Sequence, residues 1–112
     1  KWMVDIASTL SGKRVCELGA GCGVPSLAVS LYTDASHVLV TDSFGHALRN
    51  LEHNQLMNAH VRHERGPSLL SMMKVGKLDF RDPSSWPTAH SFDVLVASDV
   101  LYDRAQVPSL IQ

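Results

Sequence analysis

The sequence has few cysteines, little net charge and no long apolar run, and each shortage removes a class of function. Cys16 falls inside a hydrophobic stretch and Cys22 inside a glycine turn. A bridge between them would distort both, so no disulfide framework is expected. Two reduced thiols suit an intracellular, cytoplasmic setting, the nucleus included. A bilayer-crossing helix needs about 20 apolar residues, and no run approaches that, so no membrane partner is expected. The 10 Lys and Arg nearly balance the 11 Asp and Glu, leaving a formal net charge of −1. Nucleic acid is therefore not expected as a partner, because phosphate binding calls for a cationic excess. Arg62, His63 and Arg65 do cluster, but Glu64 breaks the run, as in a solvated loop. The six histidines are scattered, and neither cysteine has a partner at zinc-ligand spacing, so no metal is expected.

What is present reads as one globular domain: 112 residues, 45% hydrophobic and 19% charged. Trp2, Ile6 and Leu10 form a helical stripe stopped by Ser11-Gly12. "RVCEL", residues 14 to 18, is a short strand, and Pro25 suits the first turn of a helix running through "PSLAVSLY". "HVLVTD", residues 37 to 42, is a second strand. The following helix carries Phe44, Leu48 and Leu51 on an inner face and Arg49, Glu52 and His53 on an outer one. In the poorly patterned stretch 61–73, "SLLSMM" suits either a helical turn or an early strand. "KVGKLDF" holds a third strand ending at Asp79 and Phe80, and "RDPSSWPTAH" is a polar loop. "FDVLVASDVLY", residues 92 to 102, opens with the apolar run of a strand buried on both faces.

Strands alternating with helices predict an α/β fold: a doubly wound parallel sheet with helices on both sides. Ligands in such sheets bind at the C-terminal strand ends, where strand order reverses. The candidate residues all fall there: Gly19, Gly21 and Gly23 after the first strand, Asp42 after the second, Asp79 after the third, Ser98 and Asp99 after the fourth. A phosphate, a dinucleotide and a sulfonium nucleoside all suit a glycine turn. The dinucleotide pattern G-x-G-x-x-G is not matched, because the third glycine comes one residue early. A Walker loop would end in Gly-Lys-Ser or Gly-Lys-Thr, whereas Gly12-Lys13 precedes the strand. Glu17 would repel a phosphate and suits a cationic amino group. Asp42 has two readings: an acceptor for both ribose hydroxyls, or a helix N-cap shared with Ser43.

Taken together, "VCELGAGCGVPSL", "VLVTD", "NLEHN", "LDF" and "FDVLVASDVLY" resemble the class I, seven-strand S-adenosylmethionine-dependent methyltransferases. The resemblance is specifically to the protein-lysine methyltransferase-like group, of the methyltransferase-like 21 type. It spans residues 14 to 102, and Asp99-Val100-Leu101-Tyr102 is its most diagnostic element. It implies that S-adenosyl-L-methionine is the cofactor. Glu17 and the backbone from Gly19 to Gly23 would hold the methionine end, Asp42 the ribose, and Asp79 the adenine amino group. Phe80 would pack on the ring, Ala97 and Ser98 would line the methionine moiety, and Asp99 and Tyr102 would face the substrate as the catalytic pair. Trp2 matches a tryptophan near the cofactor, although an ordinary core aromatic suits it equally.

The resemblance also has departures. Phe80 stands where the family usually has Trp, and only four of seven strands are legible. Residues 1–112 are therefore expected to be the N-terminal part of a longer methyltransferase domain, with one edge of the fourth strand unpaired. The implied function is N-methylation of a protein lysine by a monomer. Alternatives are a small-amine N-methyltransferase of the nicotinamide type, a non-catalytic cofactor-binding relic, and an NAD-dependent oxidoreductase.

Overall fold

The computed structural model describes residues 6–61 and 66–111. A 3₁₀ turn over Ala7–Leu10 leads into β1 (Arg14–Leu18), α1 (Val24–Tyr32), β2 (His37–Asp42) and α2 (Gly45–Asn58). A second 3₁₀ turn, Ala59–Val61, follows, then α3 (Leu69–Met72) and β3 (Met73–Lys77). A third 3₁₀ turn, Pro83–Ser85, precedes β4 (Val94–Ala97) and α4 (Val107–Leu110). The four strands are all parallel, in the order β3-β2-β1-β4. The chain thus moves outward from β1 to β3 and then returns to the other side of β1. That reversal is the doubly wound order, and it opens a crevice at the C-terminal ends of β1 and β4.

Burial follows from the period-two alternation of the strands. Val15, Val38 and Val40 point to one face, where Val29 of α1, Leu51 of α2 and Leu69 and Met72 of α3 cover them in two adjoining clusters. Val94 and Val96 of β4 pack on the same side. Cys16, Leu18 and Leu95 point to the opposite face, which the β3–β4 connection crosses, as a right-handed crossover in the reverse direction requires. At the far end of the sheet, the Arg14 guanidinium grips the Asp93 carboxylate with bonds of 2.9 and 3.1 Å and holds its pKa well below the usual range.

The structure departs from the sequence reading at several points. α1–α3 cover one face, and among the described residues the other face carries the connection 78–92 and the single turn α4 rather than a long helix. Leu95 is 66% exposed, so β4 is packed on one face only. β3 ends at Lys77, before Asp79 and Phe80, and the ambiguous "SLLSMM" holds a helical turn and the first strand residue. Phe44 lies on the surface at the start of α2, and the inner face instead includes Ala47, Leu51 and Gln55. The Gln55 side-chain amide donates to the Met73 carbonyl. Trp2, the head of its stripe and the Arg62–Arg65 cluster lie outside the described residues.

Candidate functional site

The glycine loop is held in shape by two buried carboxylates. Gly19, Gly21 and Gly23 all have positive φ, at 63°, 58° and 75°, so a glycine-type backbone is required along the whole loop. Gly23 is the N-cap of α1 and brings no side chain to the four orphan N–H groups of the first turn. Glu17 supplies the missing acceptor: its Oε2 receives the Ser26 N–H at 3.0 Å. The residue is only 1% exposed, and burial pushes its carboxyl pKa up, with the Ser26 bonds opposing that rise. Glu17 therefore faces the helix start beneath the loop and does not line the cleft above it.

Asp42 works from the next strand. Its Oδ2 accepts the Gly21 N–H at 3.0 Å and its Oδ1 the Phe44 N–H at 3.1 Å. The N-cap of α2 is Phe44, with no side-chain cap bond, so Asp42 is not the cap; it holds the Phe44 N–H ahead of the helix and lines the crevice. A carboxylate has about four lone-pair sites, so acceptor capacity remains beyond these two bonds. Gly21 itself looks into open space, with nothing within 4 Å of where a Cβ would lie. The Leu78 N–H donates to the Asp42 carbonyl at 3.0 Å, tying the strand end of β2 to the segment beyond β3.

A small cleft of about 30 Å³ collects several of the predicted residues: Gly19, Asp42, Phe80 and Tyr102, with Phe44 and Val100. Val100 sits close over the loop, 2.9 Å from the position a Cβ would take at Gly19. Asp99 also has a positive φ, 54°, an uncommon conformation for a residue with a side chain and one that clusters at functional turns. Ala97 pairs with Leu18 at the end of β4, and Ser98, Asp99 and Tyr102 are exposed beyond it. The Asp79 carboxylate is engaged by Arg81, at 3.1 Å from both Nε and Nη2, and that pairing lowers its pKa.

Ser85 and Trp86 escaped the sequence reading, because a polar stretch with two prolines has no periodicity to expose them. The Asp79 N–H donates to Ser85 Oγ at 2.9 Å, and Trp86 Nε1–H donates to the Asp79 carbonyl at 3.0 Å. Trp86 also lines a larger apolar cavity of about 290 Å³ on the exposed sheet face, with Cys16, Leu18, Phe92, Leu95 and Leu110. Leu78 and Phe80 border both cavities and form the wall between them. The two thiols are free, Cys16 buried and Cys22 exposed. Among the described residues, no group of three or more His, Cys, Asp or Glu could hold a metal, and no helix is long and apolar enough to cross a membrane.

A parallel sheet of this order, with a glycine loop after β1 and an acid after β2, is the fold of the Rossmann-like methyltransferases. An arsenic(III) S-adenosylmethionine methyltransferase from Chlamydomonas reinhardtii superposes with a TM-score of 0.70 at 20% identity, over 90% of this chain and 34% of that one. The Arabidopsis thaliana protein arginine methyltransferase 10 gives 0.57 at 16% identity, over 82% and 22%. Within that class, residues 3–112 match the family model described as lysine methyltransferase, and the chain belongs to that family.

Among curated relatives, the protein N-terminal and lysine N-methyltransferase efm7 of Aspergillus fumigatus is 35% identical over 112 residues. The match takes in 95% of this chain and 41% of that protein. The EEF1A lysine methyltransferase 3 of Xenopus tropicalis is 32% identical over 101 residues, covering 90% and 40%. The chain thus spans about two fifths of the length of these relatives.

Proposed function

We propose that residues 1–112 are the cofactor-binding part of a longer S-adenosylmethionine-dependent methyltransferase domain whose acceptor is a protein lysine nitrogen. The observation that carries the reading is the cleft. A glycine loop, the Asp42 carboxylate and the Phe80 ring meet there, and none of the described residues lining it is cationic. Such a set suits ribose hydroxyls and a purine face and offers no counter-charge to a pyrophosphate. Relatives named as protein-lysine N-methyltransferases support the acceptor. A net charge of −1 supports a protein partner over nucleic acid, and the reading is of a cytoplasmic monomer.

In this reading Asp42 takes the ribose hydroxyls with its remaining lone pairs, Asp79 the adenine amino group, and Phe80 the ring. The backbone of Gly19, Gly21 and Gly23, with Ala97 and Ser98, lines the methionine end. Glu17 holds the loop from below. S-adenosylmethionine, when bound, supplies a methyl group already made electrophilic by its sulfonium sulfur. The protein's task is then mainly positioning. A lysine ammonium with an ordinary pKa of about 10.4 must arrive as the neutral amine. Asp99 and Tyr102 orient that nitrogen and stabilise the charge that develops on it.

Calorimetric titration of S-adenosylhomocysteine into the full-length protein, with NAD as comparator, tests the cofactor. Binding of the first alone, lost in Asp42→Ala, is expected; binding of NAD instead would overturn the assignment. Transfer of a labelled methyl group to a protein band in lysate tests the acceptor. Label confined to the low-mass fraction would point to a small amine.

A further inference from the structure

We propose that Trp86 and Ser85 are positioning residues for the purine end of the nucleoside site, a role that rests on the reading of Asp79 given above. Asp79 lies two residues beyond β3, outside any strand ladder, so its main chain has no sheet neighbour to hold it. Both of its main-chain polar groups are instead satisfied from the segment that follows. Its N–H donates to Ser85 Oγ at 2.9 Å. Its carbonyl accepts the Trp86 indole N–H at 3.0 Å and the Asp82 N–H at 3.1 Å.

The segment is stiffened in turn. The Asp82 side chain caps the 3₁₀ turn through the Ser84 N–H at 3.1 Å, and Ser85 Oγ reaches the Asp82 carbonyl at 2.7 Å. The strap therefore closes on itself with Asp79 at its centre. Trp86 anchors its far end in the apolar cavity whose wall, Leu78 and Phe80, is shared with the nucleoside cleft. Ser85 Oγ also lies 3.2 Å from the Asp79 carbonyl, and Arg81, the residue that grips the Asp79 carboxylate, belongs to the same strap. The Trp86 ring and Phe80 line the same cavity, and the indole N–H holds the peptide next to Phe80.

The consequence is specific. A loosened strap moves the Asp79 carboxylate relative to the purine amino group but leaves Asp42, anchored by Gly21 and Phe44, in place. Recognition of the base should then weaken while recognition of the ribose does not.

The test measures binding of three ligands to the full-length protein: S-adenosylhomocysteine, its inosine analogue and its 2′-deoxy analogue. Trp86→Phe keeps the ring and removes the N–H; Ser85→Ala removes the acceptor and decides the matter if the first variant does not fold. The preference for adenine over inosine is expected to fall about three- to tenfold in either variant, the value of one hydrogen bond. The 2′-hydroxyl preference is expected to stay as in the wild type. Equal loss of both preferences, or of neither, overturns the proposal. Asp79→Ala separates this from the underlying reading: if that variant keeps the adenine preference, the assignment of Asp79 itself has failed.

Discussion

The two halves of the candidate site are built in different ways. The half formed by the glycine loop and Asp42 is interlocked through buried groups: Glu17 under the start of α1, Asp42 between Gly21 and Phe44, and Gly23 against Leu51. The half formed by Asp79, Arg81, Asp99 and Tyr102 lies largely at the surface, with an ion pair whose partners are 25% and 59% exposed. Removing a buried acceptor leaves a donor with no partner, whereas a surface charge exchanges its partner for water. Rigidity is thus concentrated where a ligand of fixed shape would sit. The more open half is the one the proposal gives to the acceptor and the purine edge.

The largest expected effect breaks the first half at its tightest point. A Cβ at Gly23 would lie 2.4 Å from Leu51 Cδ2, in a left-handed backbone. Gly23→Ala should lower the unfolding free energy by about 2–4 kcal/mol, the sum of backbone strain and overpacking. Urea denaturation measures it.

Next comes Glu17→Ala, which orphans the Ser26 N–H and should cost about 1–3 kcal/mol. Glu17→Gln sharpens the point through its pH dependence. Burial raises the Glu17 carboxyl, so its contribution to stability is fully present below the ordinary carboxyl range. That contribution is lost as the pH rises through the raised folded value. The Gln variant keeps an acceptor without a charge, so its denaturation midpoint should vary less than the wild type's between acid and neutral pH.

Gly21→Ala, with the same handedness but open space around it, should cost only the strain of about 1–2 kcal/mol. A loss as large as that at Gly23 would mean that packing does not distinguish the two sites. Smallest of all, Arg81→Ala should leave the midpoint unchanged within error. A clear drop there would erase the contrast between the halves.

A chemical probe separates the same layers: iodoacetamide should modify Cys22 in the native protein and Cys16 only after unfolding. Burial pushes the Cys16 thiol up to about 11, far from thiolate formation at neutral pH.

The interlocked half was also the legible one. β1 and β2 stand where the apolar runs "RVCEL" and "HVLVTD" put them, because a strand buried in mid-sheet is apolar along its length. The alternate glycines announced a turn, and the structure gives all three a positive φ. The direction of the Glu17 side chain was not legible, since an acid before a glycine loop suits a ligand as well as a helix start. β4 read as doubly buried from the same apolar pattern, yet Leu95 is exposed, because patterning reports what a face is suited to and not what covers it. Ser85 and Trp86 gave no signal at all. Their importance comes from curling back on a residue six or seven positions earlier, and no periodicity encodes that.

The bridge from Asp42 to Gly21 and Phe44 has a consequence for how the chain comes into being. Everything it joins lies between Arg14 and Phe44, so the contacts are short in sequence, and short loops close at low entropic cost. Arg14 and Asp93, by contrast, are 79 positions apart. During synthesis from the N-terminus, the glycine-loop corner can form while β4 is still unmade. The fourth strand then adds to an edge already shaped, and the segment carrying Asp99 and Tyr102 follows it.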